Sequence, residues 1–294
     1  MNYILGAVIA GVLGLVFGSF LNVCASRWPD DKSIVQPRSY CPNCNRQLSW
    51  WENLPLLSWL ALGGRCRTCR AWIGWRSPLV EVAVAVFWAV IVGRFLCANP
   101  VPNFSDLTYT INLVNAIAWM IFLWLLVALA VLDAEHLWLP DRLVLPGIGL
   151  GLLLTVTRAS LEGFLQLGGG FAVWKHMAGT ATAAWFVAAV APAAVVLVIR
   201  WIYIMIRDQE GIGLGDVKLM AMLGGWLGIK MGLVSFGIGV VTCAAFALLM
   251  LRSPSMRTNP KAWGKMKLPL GSFICLGGAV CAFWGVPIVA ALWH

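Results

Sequence analysis

Long apolar segments dominate this chain and leave few folds open to it. Eight of them are separated by polar breaks, and they cover residues 3–24, 79–98, 111–131, 143–157, 179–203, 213–229, 232–251 and 269–291. Most have close to the roughly 20 apolar residues that a helix needs to cross a bilayer. In lipid every backbone polar group must be bonded internally, so such segments form helices. The sequence therefore predicts an all-α polytopic membrane protein with about eight transmembrane helices.

The positions of the basic residues predict how these helices are oriented. Only 11% of the 294 residues are charged, yet the net charge is +9. If the loop formed by residues 26–78 is cytoplasmic, 17 of the 21 Lys and Arg residues fall on the cytoplasmic side, as the positive-inside rule requires. The expected electrostatic partners are anionic lipid headgroups. Nucleic acid is not expected, because the tryptophans of this loop are better explained by a membrane interface.

Four cysteines organise that loop, which is called the cysteine loop below (residues 26–78). Cys41 and Cys44 form one Cys-x-x-Cys pair, and Cys66 and Cys69 form a second; 21 residues separate the two pairs. Four thiolates at this spacing suit tetrahedral Zn²⁺. A reducing cytosol argues against disulfides, and no βαβ pattern supports a thioredoxin-type redox pair. The sequence predicts a cytoplasmic, zinc-ribbon-like loop that the metal holds together.

Two aspartates stand where apolar segments meet polar breaks. Asp133 follows the third segment, and Asp216 ends the run Gly211-Ile212-Gly213-Leu214-Gly215-Asp216 at the start of the sixth. A carboxylate at a membrane boundary is a functional-site candidate. The glycines remove side-chain bulk and predict an unusual backbone beside Asp216 that a substrate strand could approach. Two such carboxyls predict a shared-proton pair of the aspartic-protease type, whereas Asp141 is expected only to solvate a helix end.

Several short segments match one family in the same order along the chain. They are residues 18–23, the cysteine loop with residues 52–59, and residues 78–81, 132–141 and 213–219. Together they resemble the type IV prepilin peptidases, which are bifunctional leader peptidases and N-methyltransferases. The resemblance implies that Asp133 and Asp216 are the catalytic pair. One departure is that residues 268–273 are similar to a Pro-Phe-Gly-Pro-type element of the family but contain Leu270 and Ser272.

The resemblance implies a multi-pass enzyme of the bacterial inner membrane with its active site facing the cytoplasm. It would cut the short basic leader from type IV prepilins or type II secretion pseudopilins, with the carboxyl pair activating a water. The family's second activity methylates the new N-terminus with S-adenosylmethionine. No nucleotide-binding fingerprint supports this second activity in the sequence. Glu52 and Glu81, which border the cysteine loop, are expected to orient the amine or the cofactor, and pairing of Glu81 with Arg76 is the competing interpretation.

The resulting organisation is a first transmembrane helix (1–25), the cysteine loop (26–78) and a transmembrane aspartyl protease domain (79–294). Two alternative functions use the same aspartates. A presenilin-like intramembrane protease would keep the pair but would need no four-cysteine loop. An ion-coupled transporter would bind cations or protons at the pair and would be expected to show internal repeats or paired broken helices, and no convincing repeat is present.

Overall fold

Helices account for nearly all of the regular structure in the computed structural model, which describes residues 3–100, 106–167, 171–209, 211–251 and 268–292. The described helices are α1 (Tyr3–Arg27), α2 (Leu57–Ala61), α3 (Arg76–Ala98), α4 (Leu107–His136), α5 (Asp141–Leu167), α6 (Phe171–Arg207), α7 (Leu214–Leu227), α8 (Ile229–Leu251) and α9 (Leu270–Leu292). Extended pairing in these residues is limited to two isolated β-bridges in the cysteine loop. The predicted all-α fold is confirmed.

Each of the eight predicted spans overlaps a helix, although not all of these helices are long enough to cross a membrane. Six described helices are long and apolar enough to cross a membrane, and a shorter apolar stretch covers Leu270–Gly285 in α9. The shortest of the eight is α7, whose 14 residues extend about 21 Å, less than the roughly 30 Å of the hydrocarbon core. Several helices run beyond the apolar segment, as α6 does, because a helix continues to satisfy its own backbone hydrogen bonds among polar residues.

The chain divides into two compact units, Met1–Ala128 and Leu129–His294. In the first unit α1 packs closely on α3 through small residues. A methyl group at Gly14 would come within 2.6 Å of the Cα of Ala85, and one at Gly18 within 2.6 Å of the Cα of Glu81. Small residues are what lets helix backbones approach in a membrane. The indole Nε1 of Trp88 donates to the carbonyl of Met120 at 3.0 Å and joins α3 to α4.

In the second unit, small residues likewise allow α8 and α9 to pack closely. A methyl group at Gly239 would come within 2.8 Å of the Cα of Ile274, and one at Gly277 would overlap the carbonyl of Ser235. The fully buried side chains of this unit include Leu129, Leu132, Leu219, Met220, Met222, Leu223 and Ile274. Leu129 and Leu132 lie within four residues of Asp133, and Leu219 and Met220 lie within four residues of Asp216. The aspartates therefore lie at the edge of a tightly packed apolar core.

Candidate active site and metal centre

Asp133 lies within the last turn of α4 and not in the polar break that follows it. The helix continues to His136, and Leu137 ends it with a left-handed φ of 52° and an N–H that donates to the carbonyl of Asp133 at 2.9 Å. Asp133 is 6% exposed. Its Oδ2 accepts hydrogen bonds from the backbone N–H of Ser272 at 2.6 Å and from the Ser272 hydroxyl at 3.0 Å. The carboxylate is therefore held by the first turn of α9.

Asp216 is the third residue of α7 and is 9% exposed. Its Oδ2 accepts one hydrogen bond, at 3.2 Å, from the N–H of Gly213, which precedes the helix. A carboxylate in this position is favoured by the unpaired N–H groups and the dipole of a helix N-terminus. Asp216 therefore sits at the start of its own helix, whereas Asp133 is bound by the start of a different one.

The glycine run serves close packing and not an unusual backbone. None of Gly211, Gly213 and Gly215 lies in the left-handed region, and Gly213 has an extended φ,ψ of −74°, 154°. A methyl group at Gly211 would instead come within 2.6 Å of the Tyr203 ring. The expectation of an unusual backbone beside Asp216 is wrong, whereas the expected lack of side-chain bulk fits Gly211 and Gly215, where a methyl group would lie within 3.1 Å of a neighbouring side chain.

Leu139 contacts the backbone segments that carry or hold both aspartates. A methyl group at Gly215 would lie 3.1 Å from the Cβ of Leu139, and one at Gly271 would lie 3.0 Å from its Cδ1 and 3.0 Å from the Cγ of Asp133. The charge on Asp133 acts on Asp216, and both carboxylates act on the thiols of Cys243 and Cys275. The structure therefore brings the two predicted catalytic residues into one buried cluster.

Two contacts outside this cluster hold the α7 N-terminus in place. Lys218 Nζ contacts both carboxylate oxygens of Asp141 at 2.7 and 2.9 Å and links α7 to the start of α5. Arg200 Nε donates to the carbonyl of Ile212 at 2.8 Å and links the glycine run to α6. The Asp141 side chain is 54% exposed, so its ion pair with Lys218 lies at the protein surface. Its geometry agrees with the helix-end role expected for it.

The cysteine pairs form two equivalent knuckles. In the first, the N–H of Asn45 donates to the carbonyl of Cys41, and in the second the N–H of Arg70 donates to the carbonyl of Cys66, at 2.9 and 3.0 Å. Asn45 and Arg70 both have left-handed φ values, 54° and 57°. Each residue follows the second cysteine of its pair, where the chain reverses. Two copies of one turn, 25 positions apart, thus present their thiols to a common centre.

The thiol positions fit a metal ion. All four Sγ atoms lie within 4.8 Å of one another, and those of Cys41 and Cys69 are 3.8 Å apart. A tetrahedral site with Zn–S bonds of about 2.3 Å places its sulfurs about 3.8 Å apart. The backbone N–H groups of Cys69 and Thr68 lower the pKa of Cys66 to about 6, which favours the thiolate that metals bind. The four-cysteine cluster can therefore bind a metal such as zinc.

Glu52 is bound inside the cysteine loop. Its side chain is 1% exposed, its Oε1 accepts from Arg46 at 2.6 Å, and its Oε2 accepts from the N–H of Ser49 at 2.8 Å. The Arg46 guanidinium and the Ser49 N–H lower the pKa of Glu52 to about 2. Since both oxygens already accept hydrogen bonds from the protein, Glu52 has the geometry of a structural residue of the loop.

Glu81 is buried in the first two turns of α3. Its Oε2 accepts from the N–H of Leu56 at 2.7 Å, and Leu56 has a left-handed φ of 55° that is unusual for a branched side chain. Ser19 and Asn22 on α1 lie near enough to this carboxyl to favour its ionised form. Glu81 thus joins α1, α3 and the cysteine loop within the first unit.

Comparisons with known proteins agree with this geometry. Residues 12–95 match the model of the bacterial peptidase A24 N-terminal domain, and residues 120–248 match that of the type IV leader peptidase family. A "Prepilin leader peptidase/N-methyltransferase" of Stutzerimonas stutzeri is 33% identical, over 95% of this chain and 91% of the relative. The chain belongs to the type IV leader peptidase family. Proteins of the same name from Pseudomonas aeruginosa (30%; 93% and 89% covered) and Aeromonas hydrophila (33%; 93% and 89%) are also similar. No solved structure matches the chain.

In this leader peptidase family member, sequence reasoning missed Ser272 and Leu139 as parts of the aspartate cluster. Ser272 was noted only as a departure from the family pattern, because a contact across 139 positions leaves no local signal. Leu139 sits in a segment recognised for its acids, and an aliphatic residue there carries no chemical signature. Both residues could be recognised only after the helices were packed.

The Glu52 geometry predicts an unequal effect of two charge-removing substitutions in the cysteine loop. We expect Glu52→Gln to speed limited proteolysis of the loop in detergent severalfold, because it breaks a buried ion pair and leaves Arg46 without its carboxylate. Asp30→Asn is the control, since its ion pair with Lys32 is exposed and such pairs contribute little. Equal proteolysis rates for the two variants would contradict the structural role.

The lowered pKa of Glu52 also predicts how the effect of Glu52→Gln on proteolysis depends on pH. Because the folded pKa of Glu52 lies near 2, below its ordinary value of 4.5, the stabilisation is present above pH 4.5 and is lost as the pH falls through about 2. The difference in proteolysis rate between Glu52→Gln and the unchanged protein should therefore stay constant from pH 7 to about pH 5. A difference that vanished over that range would show that the folded pKa of Glu52 lies above its ordinary value, because a carboxyl with a pKa of 4.5 is still mostly ionised at pH 5.

Proposed function

We propose that this chain removes the leader from type IV prepilins or related pseudopilins by a two-aspartate mechanism and then methylates the new N-terminal amine. The family, and relatives that carry both activities in their name over about nine tenths of both chains, support the two reactions. The observation that carries the first is the pair of buried carboxyls, Asp133 and Asp216, in one cluster of the second unit. The protein is a multi-pass protein of the bacterial inner membrane.

The chemistry follows from two adjacent carboxyls. They cannot both ionise cheaply, so one carries a proton while the other acts as a general base. The base takes a proton from a water whose oxygen attacks the scissile carbonyl carbon, and the protonated partner gives its proton to the carbonyl oxygen. As the C–N bond breaks, the leaving nitrogen takes the proton held by the base, and the second carboxyl recovers its proton from the diol intermediate.

An active site at the cytoplasmic face suits a leader that is short, basic and not translocated. The bias of Lys and Arg towards loops on one side supports that orientation, although five of these basic residues, between 252 and 267, lie outside the described residues. The substrate would place its leader at the aspartates while its apolar helix stays in the bilayer. Lipids with anionic headgroups would contact the basic cysteine loop.

The metal in the cysteine loop is proposed to be a single structural Zn²⁺ held by Cys41, Cys44, Cys66 and Cys69. The close spacing of the four thiols supports this. Zinc would fix the two knuckles to each other, and the loop would then present Leu56 to Glu81. The metal has no role in the cleavage chemistry proposed above, which uses only the carboxyl pair.

S-adenosylmethionine is proposed as the methyl donor because the relatives' name includes N-methyltransferase. Contact of Glu52 with this cofactor does not fit the arrangement of its side chain, whose oxygens are already bonded to Arg46 and Ser49. Glu81 remains a predicted residue of the methyl-transfer site, either by contact or through its hold on the loop. No step is assigned to either carboxylate.

The catalytic pair predicts the outcome of three amide substitutions. Asp133→Asn and Asp216→Asn should each reduce cleavage of a prepilin-like peptide by several orders of magnitude, because an amide can neither act as base nor share the proton. Asp141→Asn is the matched control and should retain most activity, since Asp141 is exposed and pairs with Lys218. Cleavage would be followed by mass spectrometry of the shortened peptide. Loss of activity only in Asp141→Asn would refute the assignment.

The zinc proposal predicts about one Zn per purified chain by metal analysis. Cys44→Ser or Cys66→Ser should lower the metal content and the protease resistance of the loop, because metal binding supplies folding free energy to so small a module. Cys97→Ser is the control, since Cys97 is an exposed cysteine outside the cluster. A metal-free preparation with a protease-resistant loop would overturn the proposal.

The two activities should separate by mutation. Asp216→Asn should fail to cleave but should still transfer a labelled methyl group from S-adenosylmethionine to a peptide that already has the mature N-terminus. Glu81→Gln should show the opposite bias, because Glu81 binds the cysteine loop within the first unit. If the unchanged protein cleaves efficiently but transfers no methyl group, the chain is a peptidase only.

A further inference from the structure

The hydroxyl and the backbone N–H of Ser272 both point at one oxygen of Asp133. Ser272 is the third residue of α9, so its N–H has no acceptor within that helix. This N–H lies 2.6 Å from Asp133 Oδ2, and the hydroxyl oxygen lies 3.0 Å from the same atom. Both donors act on Oδ2, which leaves Oδ1 as the oxygen that can face a water.

The Ser272 hydroxyl has a second acceptor. Its Oγ lies 2.8 Å from the carbonyl oxygen of Ala130, one turn before Asp133 on α4. A hydroxyl has one hydrogen, so it can donate to the carboxylate or to the carbonyl but not fully to both. When Asp133 is ionised the charged acceptor is preferred, and when Asp133 is neutral the hydrogen can turn to Ala130. Neither protonation state leaves the hydroxyl unsatisfied.

The two aspartates are therefore unequally provided with donors. Asp133 receives two, of which one is short, whereas Asp216 receives a single N–H at 3.2 Å from Gly213. Donors that point at a carboxylate favour its ionised form. Among the residues that the structure describes, the other groups that interact electrostatically with Asp133 are Asp216 and the thiols of Cys243 and Cys275, and none of these is a cation.

We propose that Ser272 is a positioning residue that holds Asp133 in the ionised form, which makes Asp133 the general base and Asp216 the proton donor of the cleavage reaction. This proposal rests on the two-aspartate peptidase function above and assigns roles within it. Asp133 Oδ1 takes the proton of the water, whose oxygen bonds to the carbonyl carbon. Asp216 gives its proton to the carbonyl oxygen. As the C–N bond breaks, Asp133 returns its proton to the leaving nitrogen and Asp216 regains one from the diol.

The test is the pH dependence of kcat/KM for cleavage of a prepilin-like peptide by the full-length protein in detergent or lipid. Ser272→Ala removes the hydroxyl but keeps the N–H. We expect about a tenfold fall in kcat/KM near neutral pH, and an acidic limb shifted upward by about one pH unit, because the ionised base has lost one donor. Ser272→Thr keeps both donors and should restore the limb to its original position.

A matched control removes a different buried hydroxyl. Ser235 is fully buried on α8 and its Oγ donates to the carbonyl of Met231 at 2.7 Å. Ser235→Ala should leave the acidic limb in place even if it alters thermal stability. Thermal unfolding of each variant, measured in parallel, separates a loss of folded protein from a shift of the limb.

The outcomes distinguish this proposal from the function on which it rests. If Asp133→Asn is inactive while Ser272→Ala keeps the original profile, the peptidase assignment stands and the role of Ser272 is refuted. If Ser272→Ala lowers activity without moving the limb, and Ser272→Thr does not restore it, Ser272 is merely structural. If Asp133→Asn cleaves normally, the two-aspartate function itself fails.

Discussion

The burial of two acids, Asp133 and Asp216, in one apolar helical unit is the constraint on which the rest of that unit depends. Each ionised carboxylate is costly to bury, and the repulsion between two raises that cost. The protein offsets it with helix N-termini, where first-turn N–H groups have no partner in their own helix. The N–H of Gly213, just before α7, donates to Asp216, and the N–H of Ser272, in the first turn of α9, donates to Asp133. The arrangement of helices in the second unit is thus tied to where these two charges must be accommodated.

The sequence predicted the parts of this structure that are encoded locally. Apolar runs of about 20 residues gave the helices, and repeated cysteine spacing gave the cluster, because each signal lies within a short stretch of chain. The two aspartates were found from their place at the ends of such runs. Their environment could not be predicted. The contact of Ser272 with Asp133 joins residues far apart in sequence. The glycine run predicted both low bulk and an unusual backbone, and the structure uses Gly211 only for space, against the Tyr203 ring.

The surroundings of the two acids at the cysteine loop also could not be predicted from the sequence. Glu52 and Glu81 stood out as acids near basic and metal-binding residues, and that pattern is equally typical of a cofactor site and of a folded loop. Only the geometry separates the two, because it shows that Arg46 and Ser49 bind both oxygens of Glu52. The Glu81 carboxyl lies at the N–H of Leu56, whose left-handed backbone no sequence pattern marks. The loop is therefore held by an internal ion pair and by α3, and its four clustered thiols can bind a metal.

Leu139 stands between the helix starts that serve the two acids, in contact with Gly215 on one side and Gly271 on the other. It belongs to neither helix and has no ionisable group. Its side chain packs against the backbone that positions each acid, so a change in its volume would shift the two carboxylates relative to each other. The acid–base behaviour of such a pair is thus adjustable from an aliphatic position. In chains of this fold, a change in side-chain size at this position would alter the pH optimum of cleavage without replacing any titratable residue.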